Sequence, residues 1–386
     1  MRVNKRLLLP FGHGGVDIYQ GMVPVLVPFL VSERGYGYVG VSGFVLAASL
    51  LSSVVQPLFG ALTDRWAMPW LVPVGTLAAG CGVALVGVAG SYPLTLAAIA
   101  LTGFGVAAYH PEAARLARAV TGGDHVGMSW FSLGGNVGFA LAPVIATPVL
   151  SAGGLAATPF LFAPAALGVL VTLPFLGRRA GVAAGSRPRG RDDWPAFRVL
   201  SAVIVLRSIA YIGLSSFLGL FVQQRVHPGD AAGGAALFVL FAGGAAGTVL
   251  GGRLAGRWGR VRTMRRAYGV AVAAVVGVAL VPGPALYGFV ALAAIALYVP
   301  FSLHITLGQD YLPNRVGTAG GVTLGLAVSV GGVFAPALGA LADATSLQTM
   351  LATLTVFPAL AWLLTHRLRE PTRLESPRPA EAAYKR

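Results

Sequence analysis

Twelve times along this chain, apolar residues run for roughly 20 positions with little charge to interrupt them, the length an α-helix needs to cross a hydrocarbon layer about 30 Å thick. A backbone in lipid has no water to bond, so each run has to satisfy its own N–H and C=O groups, and a single segment does that only as a helix. The runs fall near 8–31, 38–63, 69–90, 92–113, 125–151, 155–177, 197–223, 232–256, 263–281, 284–309, 316–342 and 347–366. The sequence therefore predicts an all-α membrane protein of twelve transmembrane helices.

Composition excludes the soluble alternatives. The chain is 56% hydrophobic and 11% charged, with a mean hydropathy of +0.75, whereas a soluble domain carries about 25% charged residues. A net charge of +15 would suggest nucleic acid as the partner of a soluble protein, but here the cations sit in short segments between apolar runs and set orientation instead. Placing the N-terminus in the cytoplasm leaves Arg34 and Arg225 outside and Arg207 within a helix, and puts the other 25 of the 28 Lys and Arg residues inside. Both termini are then cytoplasmic, and the cytoplasmic (inner) membrane is the expected location. Arg2, Lys5 and Arg6 precede an apolar run as in a secretory signal, but Gly12, His13, Asp17 and Gln20 interrupt it and no A-x-A-like site follows, so it reads as a retained first helix. Cys81 is the only cysteine, which rules out an intrachain disulfide and a cysteine-based metal cluster.

The chain is also doubled. Gly60-Ala61-Leu62-Thr63-Asp64-Arg65-Trp66 returns 192 positions later as Gly252-Arg253-Leu254-Ala255-Gly256-Arg257-Trp258, and that offset is close to half the chain, as for two related halves. Residues 178–196 form the long polar, Gly- and Pro-rich break where a cytoplasmic linker would join them. The expected organisation is a six-helix bundle over 1–177, this linker, a second bundle over 197–366, and a basic cytoplasmic tail over 367–386.

Two such turns, twelve helices and a central loop together resemble the major facilitator superfamily over essentially the full length. More locally, FGHGGVDIYQGMVPVLVPFL (11–30) and YHPEAARLARAVTGGDHVGMSWFSLGGNVGFALAP (109–143) are similar to the fosmidomycin-resistance group of drug efflux proteins. That resemblance implies a proton-driven antiporter that exports a small molecule by alternating access. The chain departs from related antiporters at Ile99, where they often carry an arginine three residues before a Gly-x-Gly pair, here Gly103 and Gly105.

An ionisable residue inside a membrane helix costs roughly 2.5–3.5 kcal/mol on insertion scales, so each needs a reason. His13, Asp17, Gln20, Gly21, Pro24 and Pro28 lie at three- and four-residue steps and share one stripe. Either Asp17 carries a proton while His13 and Gln20 bind substrate, or the stripe is a structural hydrogen-bonded cluster. Arg207, with Tyr211 on the same seventh helix, is an anion hook or the counter-ion of Asp17 in a cavity, or else it snorkels to the cytoplasmic interface or pairs within its own bundle. His110 and Glu112 are further candidates for proton coupling, and Glu112 with Arg115, three apart, is either a gating ion pair or an ordinary helix-end pair. His304 falls at a corresponding level of the tenth helix and is a substrate contact or an interfacial histidine. On the fifth helix Gly127, Gly134, Gly138 and Ala142 form a smooth seam, with Ser132, Asn136 and Pro143 on the other side. Asn136 and Ser132 are the substrate candidates there. Gly317, Gly321, Gly325, Gly332 and Gly339, with Pro336 nearby, repeat the seam on the eleventh helix. In the doubled turns Gly60, Asp64, Arg65, Gly252 and Arg257 are gating candidates, with Arg315 as a possible partner of Asp64.

Other chemistry is absent from the sequence. Gly122-Gly123-Asp124-His125-Val126-Gly127-Met128-Ser129 approaches a phosphate-binding loop but places Met128 where the lysine belongs. No enzyme, metal-binding or cofactor motif is found, and the expected energy source is a proton gradient. The expected partners are a small-molecule substrate, protons and the bilayer, with no nucleic acid, and the expected state is a monomer.

Overall fold

The computed structural model describes residues 5–121, 125–173, 191–226 and 229–371. They form helices α1 (Lys5–Arg34), α2 (Tyr38–Arg65), α3 (Leu71–Leu85), α4 (Tyr92–Thr121) and α5 (His125–Gly153). Next come α6 (Leu155–Thr172), α7 (Trp194–Arg225), α8 (Asp230–Trp258) and α9 (Arg260–Leu280). The last three are α10 (Ala285–Tyr311), α11 (Val316–Ala344) and α12 (Leu347–Arg367). Ten helices among the described residues are long and apolar enough to cross a membrane, and Tyr38–Leu51 and Leu71–Leu85 supply two shorter apolar stretches. The chain is an all-α, multi-pass integral membrane protein.

Boundaries differ from the expected ones where local chemistry decides. α4 continues past 113 to Thr121, because Glu112 and Arg115 pair along it and keep its polar end helical. α7 starts at Trp194, inside the span expected to be linker, because the Asp193 side chain caps it by accepting from the Ala196 N–H at 3.0 Å, with Pro195 in the first turn. α10 breaks between Tyr298 and Phe301, where Pro300 has no N–H to continue the ladder. Most of the expected linker (174–190) and tail (372–386) lies outside the described residues.

Packing obeys the doubling. α1 packs on α5 as α7 packs on α11, α3 on α4 as α9 on α10, and α2 on α4 as α8 on α10. The main contacts between halves interchange in the same way, α2 against α11 and α5 against α8. Small residues let these pairs touch backbone to backbone. A Cβ on Gly14 would stand 2.9 Å from the Gly134 carbonyl oxygen, and one on Gly138 would run into Gly14. Pro143 is buried in the same helix, and Pro336 is partly buried in α11.

The halves meet at the end of the molecule that is poor in arginine. There the Asp343 carboxylate at the end of α11 accepts from the Tyr38 and Val39 N–H groups at 3.1 and 3.0 Å, satisfying two orphan donors of the first turn of α2. Gly339 lies against Tyr38 and Ser42, Gly332 against Ser49, and Gly234 of α8 against Thr147 of α5. At the arginine-rich end, a Cβ on Gly60, Gly252 or Gly256 would meet nothing within 4 Å among the described residues. A helix cap is worth about 1 kcal/mol, or roughly five-fold in an equilibrium. Asp343→Ala is therefore expected to raise by about five-fold the alkylation rate of a cysteine placed at Ser42 in a Cys81→Ala background; an unchanged rate would make the contact incidental.

Candidate functional site

The polar stripe of α1 turns inward. Gln20 and Pro24, together with His13 and Asp17, line a cavity of about 300 Å³ between the halves, whose wall also includes Gln56, Ser132, Asn136, Arg207, Tyr211 and Tyr298. Eight helices contribute to that wall, four from each half. The seam of α1 faces α5: Gly14 packs there, and so does Gly21, expected on the polar stripe, which lies against Phe139 and Ala142.

The first half supplies a triad. His13 Nε2 lies 3.3 Å from Asp17 Oδ2, and His110 Nε2 on α4 lies 3.2 Å from Asp17 Oδ1. The two Nε2 atoms are 3.3 Å apart. Each ring is fixed through its other nitrogen: the Nδ1–H of His13 donates to the Phe131 carbonyl and that of His110 to the Val106 carbonyl, both at 2.8 Å. A backbone carbonyl only accepts, so Nδ1 carries the proton and Nε2 keeps its lone pair when the ring is neutral. Two lone pairs and a carboxylate then face one another with no proton between them. Asp17 Oδ1 is buried and has no hydrogen-bond partner. Such a cluster calls for an added proton or another cation. Phe131 stacks on the His13 ring with centroids 4.2 Å apart, which holds its plane.

The second half supplies a cation. Arg207 is 1% exposed, and its Nε–H donates to the Leu297 carbonyl at 2.7 Å. Its guanidinium stands 4.5 Å from the Tyr298 ring, 5.1 Å from Phe301 and 5.4 Å from Tyr211. Nη2 has no hydrogen-bond partner, and no carboxylate pairs with Arg207 among the described residues. Arg207 stands in the cavity wall and at the same time bonds and stacks within its own half, and it does not snorkel to an interface.

The remaining candidates lie elsewhere. Glu112 is fully buried and paired along its own helix with Arg115, whose Nε–H donates at 2.9 Å, and neither lines the cavity. His304 sits behind the wall, its Nε2 3.0 Å from the Tyr268 hydroxyl. It is 1% exposed and packed inside the second half, so the interfacial reading does not hold. Arg65 stacks on its neighbour Trp66 at 4.9 Å, and Arg257 is exposed. Arg315 approaches Asp192 at 3.6 Å, within its own half. The side chain of Asp64 lies outside the described residues.

Sequence reasoning missed several wall residues. Gln56 had a signal, as a lone amide in an apolar run, whereas Tyr298, Phe301 and Phe241 are indistinguishable in the sequence from lipid-facing aromatics. Gly135 was hidden beside the Gly134–Gly138 seam. A Cβ there would stand 2.8 Å from His13 Cε1 and would collide with Asp17 Oδ2, so Gly135 leaves the room that the triad occupies.

The family model of the Major Facilitator Superfamily matches residues 11–336. Over 366 residues the chain is 29% identical to the "Fosmidomycin resistance protein" of Escherichia coli (strain K12), covering 90% of this chain and 88% of that one. It is 30% identical over 362 residues to the "Uncharacterized MFS-type transporter YfnC" of Bacillus subtilis (strain 168), with the same shares covered. Among solved structures, a bacterial homolog to the human lysosomal transporter Spinster, inward-facing and unoccupied, superposes with a TM-score of 0.76 at 17% identity, covering 95% of this chain and 98% of that one. The nucleoside transporter NupG gives a TM-score of 0.74 at 13% identity, with 95% and 99% covered.

Two substitutions test the site as built. Gly135→Val is expected to displace His13 and Asp17 while leaving the helices packed, seen as loss of substrate binding in a protein that stays monodisperse. Arg207→Met removes a buried charge with no counter-ion and is expected to leave the melting temperature unchanged or higher; a fall of more than about 5 °C would mean that Arg207 is structural.

Proposed function

As a member of the Major Facilitator Superfamily the chain belongs to a family of transporters, and we propose that it expels a small drug-like or metabolite molecule in exchange for protons. The observation that carries this reading is one cavity between two pseudo-symmetric halves that meet at the arginine-poor end, with an acid and two histidines in contact on its wall. In the proposed cycle Asp17, with His13 and His110, holds the proton, while Gln20, Ser132, Asn136, Arg207 and Tyr211 hold the substrate. The halves rock about the α2–α11 and α5–α8 seams, so the two partners take turns in the cavity. In this reading the arginine-rich end is cytoplasmic and the membrane is the cytoplasmic one. Resistance, the property named for the Escherichia coli relative, is in keeping with this reading. The chain acts alone as a monomer in this reading and needs no cofactor beyond the proton gradient.

One observation favours a second reading. Arg207 presents an unpaired buried guanidinium to the cavity, which suits an organic anion, and a symporter importing such an anion would use the same residues. The direction of coupled movement separates the two. In proteoliposomes with an imposed pH gradient, antiport predicts substrate movement against the proton flow and at least about a ten-fold loss in Asp17→Asn, a change of about 1.4 kcal/mol. Movement along the proton flow selects symport; movement indifferent to the gradient and to Asp17→Asn sinks both. In the doubled turn, Asp64→Asn is expected to slow transport with substrate affinity retained, because the acid is proposed to latch the form closed at the arginine-rich end. Equal transport by that variant would leave the turn a matter of topology alone.

A further inference from the structure

We propose that His13, Asp17 and His110 form a binding site for a divalent transition-metal ion, Zn²⁺ or Co²⁺, with the fourth coordination position open to the cavity. The donor set is two imidazole nitrogens and one carboxylate, which suits borderline ions and not the all-oxygen preference of Mg²⁺ or Ca²⁺. All the ligand atoms lie within 4.8 Å of one another. Each histidine donates its other ring N–H to a backbone carbonyl, from Phe131 and Val106, which is the arrangement that orients metal-ligating histidines and fixes the tautomer with Nε2 free.

The two imidazoles have the spacing of ligands to one ion. Their Nε2 atoms are 3.3 Å apart, and a tetrahedral ion about 2.0–2.1 Å from each ligand separates two ligand atoms by about 3.3 Å. Asp17 offers Oδ2 to His13 at 3.3 Å and Oδ1 to His110 at 3.2 Å, so its carboxylate would turn to bring one oxygen to the ion. Asp17 Oδ1 is buried, with His110 Nε2 3.2 Å away as its nearest polar neighbour, so an ion there would take a carboxylate oxygen that water does not reach. All three residues come from the first half, so the site is complete in the form described and is reached from the cavity. An ion seated there takes both nitrogen lone pairs and ties α1 to α4. It excludes any proton from the same atoms.

Binding is read on the purified, tag-free protein, stripped of metal and titrated with Co²⁺. The expected result is one ion per chain with visible bands of the intensity given by four-coordinate Co²⁺, bleached by Zn²⁺. Loss of a ligand is expected to weaken binding by at least about 100-fold, the upper end of what loss of a supporting group costs. Asp17→Asn and His110→Gln should each do so, while His366→Gln, at an exposed histidine, should bind as the parent does. X-ray absorption at the zinc edge of the unsubstituted protein needs no variant, and it should find two imidazole nitrogens at about 2.0–2.1 Å. An all-oxygen shell, or equal binding by the Asp17→Asn/His110→Gln double variant, overturns the proposal. These readouts are independent of transport, so their failure leaves the transport reading standing, and loss of coupled transport leaves the metal site standing.

Discussion

The contact between the backbones of α1 and α5 governs the rest of the site. Gly14 and Gly134 touch with no side chain between them, as do Gly138 and Gly14, and the Cα of Gly135 stands where any larger residue would strike His13. In lipid the hydrophobic effect does not drive helices together, so close packing has to do that work. The carbonyl that fixes the His13 ring comes from Phe131, one turn along α5 from this seam, and the Phe131 ring covers the imidazole. Widening the seam by a single methyl group would therefore shift the histidine relative to both its anchor and its acid.

The halves repeat one another in packing and differ in chemistry. The first carries the acid and the two histidines, the second a guanidinium enclosed by aromatic rings. The helix pairs are equivalent under the repeat, yet none of His13, Asp17, His110 and Arg207 on the cavity wall has a like counterpart. Asp17 corresponds to Ile209, and Arg207 to Gly15. Duplication thus supplied the scaffold and its hinges, while substitution at few positions gave each face its charge. Two buried groups of opposite preference, kept apart across one cavity, can respond to different parts of the same small molecule.

Much of the scaffold was legible from the sequence because lipid imposes a coarse rule: twelve apolar runs became twelve helical segments, and the 192-residue repeat became equivalent packing. The α1 stripe was legible for the same reason, since His13, Asp17, Gln20 and Pro24 follow helical spacing and all reach the cavity. The meeting of His110 with Asp17 was not, because α4 and α1 are joined by nothing in the sequence and Glu112 was the more conspicuous acid. Arg207 pointed two ways because its position under the repeat suggested another face, and only the path of α10 past Leu297 shows what holds it. Tyr298 and Phe301 gave no signal, since an aromatic residue in an apolar helix reads the same whether it faces lipid or a cavity.

The seal at the arginine-poor end has a mechanical consequence. Among the described residues its polar links are one carboxylate on two backbone N–H groups and a hydrogen bond from the Gln224 amide to the Tyr38 hydroxyl at 3.0 Å, beside glycine contacts and the Tyr38 ring edge-on to Phe217. Polar links of this kind are worth about 1 kcal/mol each in net terms, and surfaces without knobs part without repacking. Swinging an equilibrium from 1:99 to 99:1 takes about 5.5 kcal/mol. A seam this light behaves as a zip whose teeth a single small ligand has enough binding energy to release, so the fold needs no large internal spring to reverse itself.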